Sequence, residues 1–85
     1  MLYIILSMEE KKRVYNRIKA VLAEKHKTNK ELSDHLQKQI GHISRYVTND
    51  VQPPIPILFQ IADFLECDVR DLLVSSLEPP VYIEK

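Results

Sequence analysis

The side chains with the widest chemical range in this sequence are His26, His35, His42 and Cys67, and they are too scattered for a metal site. Such a site wants ligands at close, regular spacing. Cys67 stands alone, so no disulfide is expected within the chain, and a reducing compartment fits that. Flanked by Glu66 and Asp68 at a helix boundary, it reads as a small core residue. No serine, histidine and acid are placed as a nucleophile system, and no glycine-rich phosphate loop exists. Neither catalytic residues nor a cofactor nor a metal are expected, and the chain is not read as an enzyme.

The chemistry that remains is charge and base recognition. Formal net charge is zero, but it divides sharply. Residues 11–49 carry ten Lys and Arg against three acids, a net +7, whereas residues 50–85 carry seven acids against Arg70 and Lys85, a net −5. A domain basic on one side suggests a polyanionic partner such as nucleic acid; two solvated faces that cancel are the alternative. In the basic part lies QKQIGHISRYVTND, residues 37–50, with the chain's single glycine, Gly41. Glycine inside a helix costs about 1 kcal/mol relative to alanine. The segment is therefore either a reading surface or a short core helix carrying an unexplained residue.

Those residues need elements to position them. Eighty-five residues, 45% of them hydrophobic, support one folded domain with one small core. One glycine disfavours hairpin-rich folds and suits short helices. Val14, Ile18, Val21 and Leu22 recur at helical spacing, predicting a helix from about Glu9 to Lys25. Thr28 and Glu31 form a capping-box pattern opening a second helix that buries Leu32 and Leu36. Ile40, Ile43, Tyr46 and Val47 make a third stripe. Pro53, Pro54 and Pro56 then precede the strongest one, Ile57, Leu58, Ile61, Ala62 and Leu65. Asp68 can cap a fifth helix carrying Val69, Leu72 and Leu73. The expectation is a compact all-α domain of five helices.

The termini read differently. Met1 to Leu6, MLYIIL, is too short to span a bilayer and lacks the basic flank of a signal peptide, so a cytoplasmic protein without a membrane partner is expected. Its strand propensity predicts pairing with Val81–Ile83, within the chain or across a dimer; two frayed tails, with Met8 as the natural start, are the alternative. The organisation expected is a tail over residues 1–8, a domain over residues 9–74 and a tail over residues 75–85.

The order of elements, the Thr28 cap and the unit NKELSDHLQKQIGHISRYVT (residues 29–48) resemble the lambda-repressor-like helix-turn-helix family, Cro/cI-type, also called XRE. Apolar Leu32, Leu36, Ile43 and Tyr46 and the small Ser33 meet its packing pattern, in which two helices cross steeply. Gln60 to Leu73 resembles its last two helices. The resemblance implies a sequence-specific double-stranded DNA-binding regulator, with the helix at about residues 40–47 in the major groove. It places Gln39, Ile40, Gly41, His42 and Arg45 at the bases. Gln39 would pair with adenine, Arg45 with guanine, and Ile40 would rest on a thymine methyl. It places Thr28, Asn29, Lys30, Lys38, Thr48 and Asn49 at phosphates. Each has a plainer reading: Arg45 and His42 as solvated surface, Gln39 as an ordinary helix start, Ile40 as packing.

Several positions depart from the family pattern. Gln37 stands where the turn usually has glycine, Lys38 where it often has an apolar plug, and Gln39 where a better N-cap is usual. Asp50 stands in a loop that is usually basic, and a carboxylate there repels phosphate. Relatives act as two-fold dimers on paired half-sites, implying a homodimer. Two competitors stay open: an antitoxin-type regulator binding a protein partner through the acidic C-terminal part, and a protein-interaction module that has lost DNA.

Overall fold

A computed structural model describes residues 11–84. In chain order the elements are β1 (Lys11–Arg13), α1 (Ile18–Glu24), α2 (Asn29–Leu36), α3 (Ile40–Val47), α4 (Ile55–Leu65), a 3-10 turn (Val69–Leu72) and β2 (Tyr82–Glu84). The four helices enclose one core: Ile18, Val21, Leu22, Leu32, Ile43, Tyr46, Val47, Leu58, Ile61, Ala62, Leu65 and Leu72. These are the apolar stripes of the sequence brought face to face. No helix among the described residues is long and apolar enough to cross a membrane.

Two expectations about helices are corrected. The first helix does not begin near Glu9 but at Ile18. Upstream of it the backbone bonds across the molecule: Val14 N–H donates to Val81 O at 2.8 Å and Arg17 N–H to Leu72 O at 2.8 Å. Groups committed to a distant strand are not available for a helical ladder. The fifth helix is only the 3-10 turn Val69–Leu72, so the described residues form four helices, not five. It is capped as expected, with Asp68 Oδ1 accepting from Arg70 N–H at 2.8 Å. It stops after one turn because the next residues bond elsewhere: Leu73 bridges to Asn16, and Val74 N–H donates to Tyr15 O at 3.0 Å.

The C-terminal strand exists, and among the described residues its partner is β1. β2 pairs antiparallel with β1 in the register Lys11 to Glu84, Lys12 to Ile83 and Arg13 to Tyr82. The proposed partner, Met1–Leu6, lies outside the described residues.

Local chemistry sets the helix ends. In α2 the capping box is complete: Glu31 N–H donates to Thr28 Oγ1 at 3.1 Å and Thr28 N–H to Glu31 Oε1 at 3.1 Å. Gln37 closes α2 in the left-handed conformation, φ 55° and ψ 45°, the geometry for which glycine is the usual choice. Lys38 N–H then donates to Ser33 O at 3.1 Å, and Ser33 Oγ donates to Lys38 O. The small buried Ser33 thus pins the turn with its hydroxyl where an apolar plug would otherwise hold it. The turn keeps its geometry despite both departures.

Candidate nucleic-acid interface

Two faces divide α3. Ile43, Tyr46 and Val47 are buried against the other helices, while Ile40, Gly41, His42, Ser44 and Arg45 are exposed. Gln39 is the N-cap residue, and its side chain makes no cap bond, so its amide is directed to no helical task. Ile40 is 50% exposed, so half of its surface stays open to a partner. A Cβ placed on Gly41 would meet nothing within 4 Å, so the fold does not require glycine there. Arg45 has no ion-pair partner among the described residues.

His42 is more occupied than its exposure suggests. Its Nε2 lies 2.9 Å from Tyr46 Oη, and the rings meet edge to face with centroids 4.8 Å apart. Burial pushes the Tyr46 phenol up from its ordinary value, keeping it a protonated hydroxyl. His42 is thereby braced on its own helix, with only part of the ring turned outward.

The phosphate candidates separate into committed and uncommitted groups. Thr28 is engaged in the capping box. Lys30 pairs with Asp34 at 2.5 Å, and neighbouring Lys27 with Glu31 at 3.8 Å; both pairs are exposed and four residues apart. Such pairs hold their cations loosely, so the charge remains usable by a polyanion. Asn29 opens α2, and Lys38 has no ion-pair partner among the described residues. Thr48 Oγ1 lies 3.0 Å from Ser44 O and 2.7 Å from Asp50 Oδ2, and donates to one at a time.

Asn49 is turned inward. Its Oδ1 accepts from the backbone N–H of Tyr15 and of Asn16, each at 2.9 Å, and its Nδ2 donates to Asn16 O at 3.2 Å. Asn16, only 3% exposed, donates in turn to Tyr46 O at 3.0 Å and Gln52 Oε1 at 2.7 Å, and accepts from Ile18 N–H at 3.1 Å. The segment before α1 is therefore laced to the loop after α3. Asn49 takes a left-handed φ of 64°, which asparagine tolerates better than most residues. Its amide is spent on this junction, and the backbone N–H groups of residues 48–51 donate to carbonyls of α3.

Sequence reasoning missed Asn16, Gln52 and Lys12. Asn16 lies inside an apparent helical stripe, where a polar residue reads as solvated. Lys12 reads as one of many cations, yet it donates to Asp50 Oδ1 across the molecule. That bond and the Thr48 hydroxyl hold the Asp50 carboxyl below its ordinary range. The acid that counts against DNA is thus ionised and paired.

Histidines and cysteine take separate structural places. His26 ends α1 in the left-handed conformation, His35 stacks on Phe64 with centroids 4.7 Å apart, and Cys67 is half-buried. Burial, first, and the nearby Asp71 push the Cys67 thiol up, the wrong direction for a nucleophile.

Comparison with known proteins gives a consistent picture. The helix-turn-helix family model HTH_3 matches residues 18–72. A crystal structure of a candidate DNA-binding protein from Bacteroides fragilis is similar, with 40% sequence identity and a TM-score of 0.70. The similarity covers 74% of this chain and 100% of that one. No protein of curated function matches.

Proposed function

The chain belongs to the helix-turn-helix family, and on that premise we propose that it is a small double-stranded DNA-binding transcriptional regulator of bacterial or phage type. It acts in the cytoplasm, by occupancy and without catalysis, as a dimer on a two-fold operator. The observation that carries this reading is the outer face of α3. Gln39, Ile40 and Arg45 are exposed there beside a bare Gly41 and perform no task that folding requires. In the docking mode of such motifs, this end of the helix enters the major groove. Gln39 then pairs with adenine, Arg45 with guanine and Ile40 with a thymine methyl. The first-turn amides of Asn29 and Lys30 and the Lys38 ammonium meet phosphates. The apolar surface a dimer needs is available: Ile55 and Phe59 are exposed one turn apart on α4, and Tyr82 and Ile83 are exposed on β2.

Binding of the full chain to a labelled mixed-sequence duplex, followed by anisotropy across salt concentrations, tests this. Affinity should fall steeply between low and moderate salt. Selection from a random duplex pool should then yield a two-fold site. Arg45→Ala and Gln39→Ala should relax preference at single positions, at about 1–3 kcal/mol each. If both variants bind every duplex as the parent does, α3 is not the reading helix. A protein-interaction module that has lost DNA binding is the second reading. It is favoured by the exposed Leu77, Val81 and Tyr82 beside Glu78 and Glu84, and it predicts no salt-dependent duplex binding.

A further inference from the structure

Asp50 is the residue least suited to a DNA interface, and the fold has given it a partner. The loop leaving α3 follows the proposed reading helix directly, and a carboxylate there faces the negative field of a duplex. Lys12, thirty-eight residues earlier and on β1, donates from Nζ to Asp50 Oδ1, while Thr48 Oγ1 lies 2.7 Å from Oδ2. The Lys12 side chain is 18% exposed and that of Asp50 is 51% exposed, so the cation is largely covered and the acid faces outward. Nothing comparable holds for the other lysine pairs near the motif. Lys27 and Lys30 pair within the reach of α2 itself, four residues apart. The Lys12 bond alone joins the terminal ribbon to the loop after α3 among the ion pairs of the described residues.

We propose that Lys12 is a positioning residue of the DNA interface: paired with Asp50, it removes a repulsive carboxylate from the loop after the reading helix and fixes that loop to the β1–β2 ribbon. The proposal rests on the DNA-binding reading above. A half-exposed ion pair adds little to folding stability, because solvent screens it and ordering two side chains costs entropy. Beside a polyanion the consequence is larger. Without Lys12, an uncompensated negative charge lies well within a Debye length of about 8 Å from any phosphate the loop meets. With Lys12, a phosphate meets a neutral pair. The family's usual base in this loop is thereby replaced by an acid together with a cation recruited from elsewhere in the fold. Lys12 lines a groove of about 650 Å³ together with Val14, Val47, Thr48 and Ile83.

The test is a double-mutant cycle on the full chain, with the same labelled mixed-sequence duplex at low and moderate salt. Wild type, Lys12→Gln, Asp50→Asn and the double variant are compared. Lys12→Met is a second probe that keeps the stem, Lys12→Arg is the conservative rescue, and thermal melts establish that each variant is folded. Lys12→Gln should weaken binding roughly tenfold at low salt and by less at moderate salt, where the exposed carboxylate is screened. Asp50→Asn should recover most of that loss in the Lys12→Gln background and strengthen the parent by clearly less, because the Lys12 cation it leaves is largely covered. Lys12→Arg should bind as the parent does. Equal strengthening by Asp50→Asn in both backgrounds would mean the two charges act independently, and would overturn the proposal while leaving DNA binding intact. Absence of salt-dependent binding by the wild-type chain overturns the DNA-binding reading, and this proposal with it.

Discussion

Asn49 Oδ1 accepts from two consecutive backbone amides, those of Tyr15 and Asn16, from a position thirty-three residues downstream of Asn16. One side-chain oxygen thus satisfies two donors of the segment entering α1 and binds it to the loop leaving α3. Removing it leaves the partly buried Asn16 amide without a partner. Asn49→Ala should cost about 2–3 kcal/mol, combining that unpaired donor with a left-handed backbone that alanine tolerates poorly. Asn49→Gly removes the bonds and relieves the backbone, so it should cost less than Asn49→Ala. Urea denaturation of the two variants checks the order. Equal costs would mean the conformation contributes nothing.

Gln37 holds the turn of the motif at φ 55° without being glycine. Because its geometry is already that of a glycine cap, Gln37→Gly should stabilise the fold by about 0.5–1 kcal/mol and raise the melting temperature by several degrees. Its side chain has no hydrogen bond among the described residues to lose, so a melting temperature that drops would show that the left-handed cap is not strained.

Gly41 separates stability from recognition. Space for a Cβ is open, and the glycine φ is not positive. Gly41→Ala should therefore stabilise α3 by up to about 1 kcal/mol. If its bare backbone lets this end of the helix approach a duplex, the same substitution should weaken DNA binding. Melting and anisotropy on one variant then move in opposite directions. A variant that is more stable and binds equally well would show that the glycine serves neither fold nor contact.

Asp68 provides the pH dependence. Bonds from the Arg70 guanidinium, then from its backbone amide, lower its carboxyl to about 2 from an ordinary 3.8. A folded-state value below the unfolded one gives stability that is complete above the unfolded value and lost as pH falls toward the folded one. The 3-10 turn should therefore lose its cap between about pH 4 and pH 2. Asp68→Asn, which keeps an acceptor but no charge, should flatten that part of the acid limb in melts taken across the range and lower the melting temperature at pH 7.

How much of this was legible in the residues depends on the range of the interaction. The capping box at Thr28 and Glu31, the stripes of α2, α3 and α4, and the proline entry to α4 are local, set within a few residues by backbone donors and helical period. They could be read directly, and with them the position of α3. The helix expected from Glu9 and the one expected after Asp68 failed for a single reason. Both stretches have helical patterning, but each lies across from the other, and cross-chain backbone bonds such as Arg17 to Leu72 won over a local ladder.

The sequence by itself determined the core, the helix-turn-helix and the side chains offered outward from α3, because periodicity and capping act over one or two turns. Tertiary structure alone decided that Lys12 neutralises Asp50, that Asn49 faces inward to Tyr15 and Asn16, and that residues 11–13 and 82–84 pair as a ribbon. Hydrogen bonds and ion pairs between residues more than thirty positions apart leave no periodic trace in a chain; they exist only once the core has brought its distant segments together.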